Sequence, residues 1–190
     1  PETLVVPKGV ALVGRGKHEV LLLAGKGVLV AVASDGPLVA DLSILNDEPD
    51  GVALVFGADL RRAKLRADYL ALTNNTWVFA VEFEVEDAHF DITDSDISAN
   101  RIAVDVAWIG RAEPFFARHS RITGGATAIH IERSAGVILR DCEVAALGSS
   151  SSGSFTISID ETDLDVEIYG GSLSAALAGP GFQARALDLR

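Results

Sequence analysis

The sequence predicts an all-β chain wound as a parallel β-solenoid. Two observations of repetition and one of absence carry that expectation. A six-residue block recurs about every 26 residues, a second block keeps the same period between its copies, and no stretch of ten or more residues shows the 3.6-residue hydrophobic period of a helix. At 190 residues and 20.0 kDa the chain is one domain's worth of protein, and 48% apolar residues against 23% charged supply a packed core.

The first block reads Val39-Ala-Asp-Leu-Ser-Ile44, Leu65-Arg-Ala-Asp-Tyr-Leu70, Ile92-Thr-Asp-Ser-Asp-Ile97, Ala117-Arg-His-Ser-Arg-Ile122, Leu139-Arg-Asp-Cys-Glu-Val144 and Ile168-Tyr-Gly-Gly-Ser-Leu173. The second begins at Val52, Trp77, Ile102, Thr127, Phe155 and Phe182. Each alternates apolar with polar or small residues, as a strand with one buried face requires; Ile102, Val104 and Val106 against Ala103, Asp105 and Ala107 is an example. Gly, Ser, Asn and Asp cluster between the blocks, where turns are needed. Strands that repeat in one direction pair with their own copies one coil on, not as hairpins. Stacking puts Val39, Leu65, Ile92, Ala117, Leu139 and Ile168 in one inward column and Ile44, Leu70, Ile97, Ile122, Val144 and Leu173 in another. Phe90 and Phe115 stack in neighbouring coils, and Cys142 falls at an inward position beside a turn, a small apolar group rather than a nucleophile.

These blocks, most typically Gly136-Val-Ile-Leu-Arg-Asp-Cys-Glu-Val144, resemble the coils of right-handed parallel β-helix proteins. That pectate-lyase-like group includes polysaccharide lyases, glycosidases, epimerases and phage tailspikes. The resemblance runs from about Gly9 onward. It implies a right-handed, single-stranded β-helix of about seven coils, with residues 1–190 as one domain. Such proteins cap their ends with a helix, a loop or a further domain. No capping helix is expected here, so the chain reads as a segment of a longer protein or one whose ends other subunits cover.

Composition narrows the partners. A net charge of −11 repels phosphate backbones and anionic lipid, so nucleic acid is not expected. The longest apolar stretch, residues 20–33, is interrupted by Gly25, Lys26 and Gly27 and falls short of the ~18 residues of a membrane span. The start, Pro1-Glu2-Thr3, has no basic region typical of a signal peptide. One cysteine cannot build a disulfide framework, and His18, His89, His119 and His130 fall in different coils and columns, which argues against zinc. No cofactor is implied.

Two outer faces carry candidate function. In the second block Ala53, Val78, Ala103 and Ala128 form an outward column of small apolar residues, read as an interface for another chain, with a homotrimer favoured. The next column holds Val55, Ala80, Asp105, His130 and Ser158. On the first block's outer face, Arg66, Tyr69, Arg118, Arg121, Arg140 and Tyr169 are candidate glycan-binding residues. Arginine forks grip carboxylates and tyrosine faces stack on sugar rings. Asp94, Arg118 and Arg140 are candidate catalytic residues by likeness to the calcium carboxylates and arginine base of the lyases, although the diagnostic hydrolase and epimerase motifs are missing. Asp91, Asp94 and Asp96 form a weak calcium candidate lacking the glycine and terminal glutamate of an EF-hand.

The expected function is a non-catalytic assembly protein, a β-helical spike, fibre or appendage at the virion or cell surface that binds polysaccharide. The alternatives are a polysaccharide lyase or glycoside hydrolase, and a cytoplasmic scaffold polymerising end to end.

Overall fold

A computed structural model of the chain describes residues 4–6, 10–16, 18–19, 21–23, 28–32, 38–55, 59–73, 90–106, 114–132, 136–148, 154–159, 165–176 and 184–189. These form a parallel β-solenoid, and no helix occurs among them. The chain visits three sheets in rotation. It begins with β1 (Leu4–Val6), β2 (Leu12–Val13) and β3 (Leu21–Leu23), then β4 (Val28–Val32), β5 (Leu38–Ala40) and β6 (Ser43–Asn46). It continues with β7 (Val52–Val55), β8 (Asp59–Arg61), β9 (Lys64–Ala67), β10 (Leu70–Thr73), β11 (Asp91–Thr93) and β12 (Asp96–Ala99). Next come β13 (Ile102–Val106), β14 (Phe115–Arg118), β15 (Arg121–Gly124), β16 (Thr127–Ile131), β17 (Gly136–Arg140) and β18 (Glu143–Ala146). The last are β19 (Ser154–Ile159), β20 (Asp165–Tyr169), β21 (Ser172–Ala175) and β22 (Ala184–Leu189). The first sheet stacks β1, β4, β7, β10, β13, β16, β19 and β22; the second runs from β2 to β20 and the third from β3 to β21, seven strands each.

The core is the bore between the sheets. In the second sheet Val39, Leu60, Ile92, Ala117 and Leu139 succeed one another, all 0–1% exposed. Each large aliphatic side chain so buried contributes about 1.5–3 kcal/mol. Phe90 and Phe115 stack as expected, their ring centroids 6.3 Å apart. The register corrects one coil of the sequence reading. Leu60, not Leu65, joins the Val39 column, and Leu65 joins Ile44, Ile97, Ile122, Val144 and Leu173. Leu70 opens β10 of the first sheet, where a strand at Trp77 was expected. Trp77, Val78, Ala80 and Phe182 lie outside the described residues.

A two-residue turn joins the second sheet to the third in six successive rungs. Its first residue is left-handed in each: Asp41 (φ 56°), Arg62 (46°), Asp94 (51°), His119 (47°), Asp141 (51°) and Gly170 (67°). Aspartate tolerates this backbone region better than most residues, whereas Arg62 bears strain of about 1–3 kcal/mol. The second turn residue points inward, and here the core is partly polar. Ser95 and Ser120 donate their hydroxyls to the carbonyls of Thr93 (2.8 Å) and Arg118 (2.7 Å), and accept from the Ala63 and Ser95 amides. Cys142 sits in the same row, and burial pushes its thiol above the ordinary range, away from nucleophilic chemistry.

The alanine column departs from expectation. Ala53, Ala103 and Ala128 are each 0% exposed and lie in the hydrophobic core. Ala71 takes the position assigned to Val78. Thr156, next in the column, donates its hydroxyl to the Ser174 carbonyl of the third sheet. The column therefore packs against the chain's own third sheet, where the two sheets meet at a short turn. Small side chains are needed there, and at Gly124 a Cβ would overlap the Thr127 carbonyl. These residues do not offer a free stripe to another subunit.

Among the described residues no helix is long and apolar enough to cross a membrane.

Candidate functional site

The second sheet's outer face gathers Arg118, Arg140 and Tyr169 into one row. Register runs Ala40, Arg61, Thr93, Arg118, Arg140, Tyr169 along successive strands. A parallel row carries Asp91, Phe116, Ile138 and Glu167. Neighbouring rungs are about 4.8 Å apart, so side chains in adjacent rungs touch.

Arginine and aromatic groups interleave there. The Arg140 guanidinium lies over Phe116 (5.6 Å to the centroid) and over Tyr169 (5.5 Å), and the Arg118 guanidinium also lies over Phe116, at 5.7 Å. Arg118 also donates from Nε to the Thr93 hydroxyl at 2.9 Å, and that hydroxyl donates to Asp91 at 3.2 Å. The Tyr169 hydroxyl donates to Glu167 at 3.0 Å; this bond and the carboxylate's charge hold the phenol above its usual range. Tyr169 is 53% exposed. Neither Arg118 nor Arg140 has a carboxylate partner among the described residues.

The other glycan candidates lie elsewhere. Arg66 is on the third sheet, clasped by Asp47 through two bonds of 3.1 and 2.8 Å. Arg121, also on the third sheet, is paired with Glu143 at 2.7 Å. Tyr69 is half-buried at the turn from the third sheet to the first, its ring under Arg101 at 4.8 Å. The structure thus brings together three of the six. It adds Phe116, which sequence reasoning passed over although its signal was present: with Phe115 inward, alternation turns Phe116 out.

Beside this face the left-handed turn residues alternate acidic with basic side chains, Asp41, Arg62, Asp94, His119 and Asp141. Arg62 grips Asp41 at 2.6 and 2.7 Å, which holds that carboxyl below the usual carboxylate range and raises the guanidinium. His119 stands between Asp94 (3.6 Å to Nδ1) and Asp141 (3.7 Å to Nε2). Of the catalytic candidates, Asp94 belongs to this row, while Arg118 and Arg140 belong to the aromatic row. Asp91 and Asp96 point from different sheets. Among the described residues no three His, Cys, Asp or Glu side chains converge on a metal-sized point, so the calcium candidate at Asp91, Asp94 and Asp96 is not formed.

Chemically, the face presents two cations held on π-surfaces, with rings for sugar stacking and hydroxyls at its margin. It suits a ligand carrying negative charge and flat apolar faces. Compared with protein-family models, curated proteins and solved structures, the chain matches none.

Proposed function

We propose that this chain is a right-handed β-helix of about seven coils whose second sheet holds an acidic polysaccharide without transforming it, as part of a spike, fibre or appendage at a virion or cell surface. One observation carries the reading. In a chain of net charge −11, Arg118 and Arg140 stand together on aromatic rings with no carboxylate partner among the described residues. A guanidinium so placed is pre-organised for a carboxylate supplied by a ligand, and the neighbouring rings receive the sugar's apolar face. Rungs repeating along the solenoid favour a linear polymer over a monosaccharide.

An oligomer, with a trimer favoured, remains part of the proposal. The alanine column no longer contributes.

Retention on immobilised polyuronate tests the reading. The protein is expected to bind the acidic polymer and not a neutral glucan, and Arg140→Ala is expected to weaken binding about tenfold. Equal retention on both polymers, or on neither, would overturn it. A second reading, lyase or hydrolase, is favoured by the Asp94–His119–Asp141 row beside the arginines. It requires release of unsaturated or reducing ends from the polymer, lost in Asp94→Asn.

A further inference from the structure

The arginine rungs of the second sheet are flanked on both sides by carboxylates. One outer row runs Asp91, Phe116, Ile138, Glu167 on four successive strands, β11, β14, β17 and β20. Arg118 and Arg140 start from the neighbouring row, but both guanidiniums lie over the Phe116 ring and so reach the row of the two carboxylates. A polymer laid along the solenoid therefore meets a carboxylate, two guanidiniums and a carboxylate in turn. With rungs about 4.8 Å apart, the two carboxylate-bearing rungs stand about 14 Å from each other. Hydroxyls of the same face hold both carboxylates. Thr93 donates to Asp91 at 3.2 Å while accepting from Arg118, and Tyr169 donates to Glu167 at 3.0 Å. Asp91 is half-buried and Glu167 exposed.

We propose that Asp91 and Glu167 are specificity-determining residues that bracket a two-unit acidic window. The polysaccharide recognised here is then a heteropolymer with one or two consecutive uronates between neutral sugars, not an unbroken polyuronate. This specificity rests on the polysaccharide reading and narrows its ligand.

A sugar ring in an extended chain spans about the height of one rung. Two units thus cover the Arg118 and Arg140 rungs, and the next unit on either side faces a carboxylate. An ionised carboxylate only accepts hydrogen bonds and has room for more than one donor, so a neutral sugar there is held by its hydroxyls. A uronate in the same place sets like charges against each other, a repulsive element that discriminates between ligands. Solvent screens the repulsion on so open a face, so its effect is a few-fold rather than orders of magnitude. A polyuronate is still gripped by two of its carboxylates, with the penalty at both flanks.

The test titrates the intact chain at fixed low ionic strength with two tetrasaccharides. One is a tetrauronate, and the other has two central uronates between neutral hexoses. The wild-type protein is expected to bind the mixed tetrasaccharide about fivefold more tightly. Asp91→Asn/Glu167→Gln keeps acceptors for Thr93 and Tyr169 and preserves side-chain size. It is expected to raise tetrauronate affinity about fivefold while the mixed ligand changes less than about twofold. Glu48→Gln/Asp50→Asn removes equal charge at the turn from β6 to β7 and is expected to leave the preference in place, which separates local bracketing from net charge. Equal affinities, tighter binding of the tetrauronate, or a preference untouched by the bracketing substitutions would overturn the bracket and leave the polysaccharide reading standing. Binding of neither tetrasaccharide would overturn both.

Discussion

Two neighbouring surfaces of this solenoid use arginine in opposite ways. On the turn row and the third sheet, Arg62, Arg66 and Arg121 each close on a carboxylate of an adjacent coil or turn, at 2.6–2.8 Å. On the second sheet, Arg118 and Arg140 lie over Phe116 and Tyr169 instead. The first arrangement satisfies charge within the chain and is screened by solvent, so it adds little to stability. The second leaves the charge to be met from outside. The same side chain is a clip in one place and, on the proposed reading, a ligand contact in the other, and local partners decide which.

The sharpest contrast lies in two adjacent residues. Phe115→Ala, which empties a fully buried site, is expected to cost about 3–5 kcal/mol of unfolding free energy. Phe116→Ala on the outer face is expected to cost about 1 kcal/mol or less while impairing polysaccharide retention. Denaturant unfolding of both variants, read beside the retention assay, checks this separation, and equal destabilisation would break it.

A smaller effect separates the arginines. Arg140→Ala is expected to weaken polyuronate binding about tenfold, in line with loss of one charge-assisted contact, and Arg121→Ala less than twofold. Arg140→Lys is not expected to restore affinity in full, since an ammonium lacks the planar fork and the ring stacking. Binding isotherms at fixed ionic strength give the comparison.

The smallest effect is acid dependence. Asp41 has its carboxyl depressed by the hydrogen bond from Arg62, so its contribution to stability is present above the unfolded value of about 3.9 and is lost as pH falls through the lower folded value. Asp41→Asn is therefore expected to destabilise slightly at pH 7 and not at all once wild-type Asp41 is protonated. Denaturation midpoints at pH 7 and near pH 2 show the sign. Arg140→Ala, which releases no carboxylate, is expected to show no such convergence.

The period, the inward columns and the parallel stacking were legible in the sequence because each coil repeats the same alternation. One coil slipped for an identifiable reason. Leu60, Leu65 and Leu70 follow one another at intervals of five, the same interval that separates Ile92 from Ile97 and Ala117 from Ile122. Either leucine pair fits the block, and only the pairing of Leu60 with Val39 and Ile92 decides. That slip moved Arg66 and Tyr69 onto the wrong face. The alanine column misled for another reason: the regular ladder pairing skips Ala103 and Ala128, so simple alternation does not assign their side chains where the sheets meet. What sequence could not supply was the partner of each arginine, because a salt bridge between coils depends on register to the single residue.

The most direct test of the outward-looking arginines is the ¹⁵N resonance of each Arg Nε–H during titration with a uronate oligosaccharide. The account predicts that the Arg118 and Arg140 signals shift and saturate together, while those of Arg62, Arg66 and Arg121 stay in place. Uniform small shifts of all five, or movement confined to the carboxylate-clasped set, would contradict it.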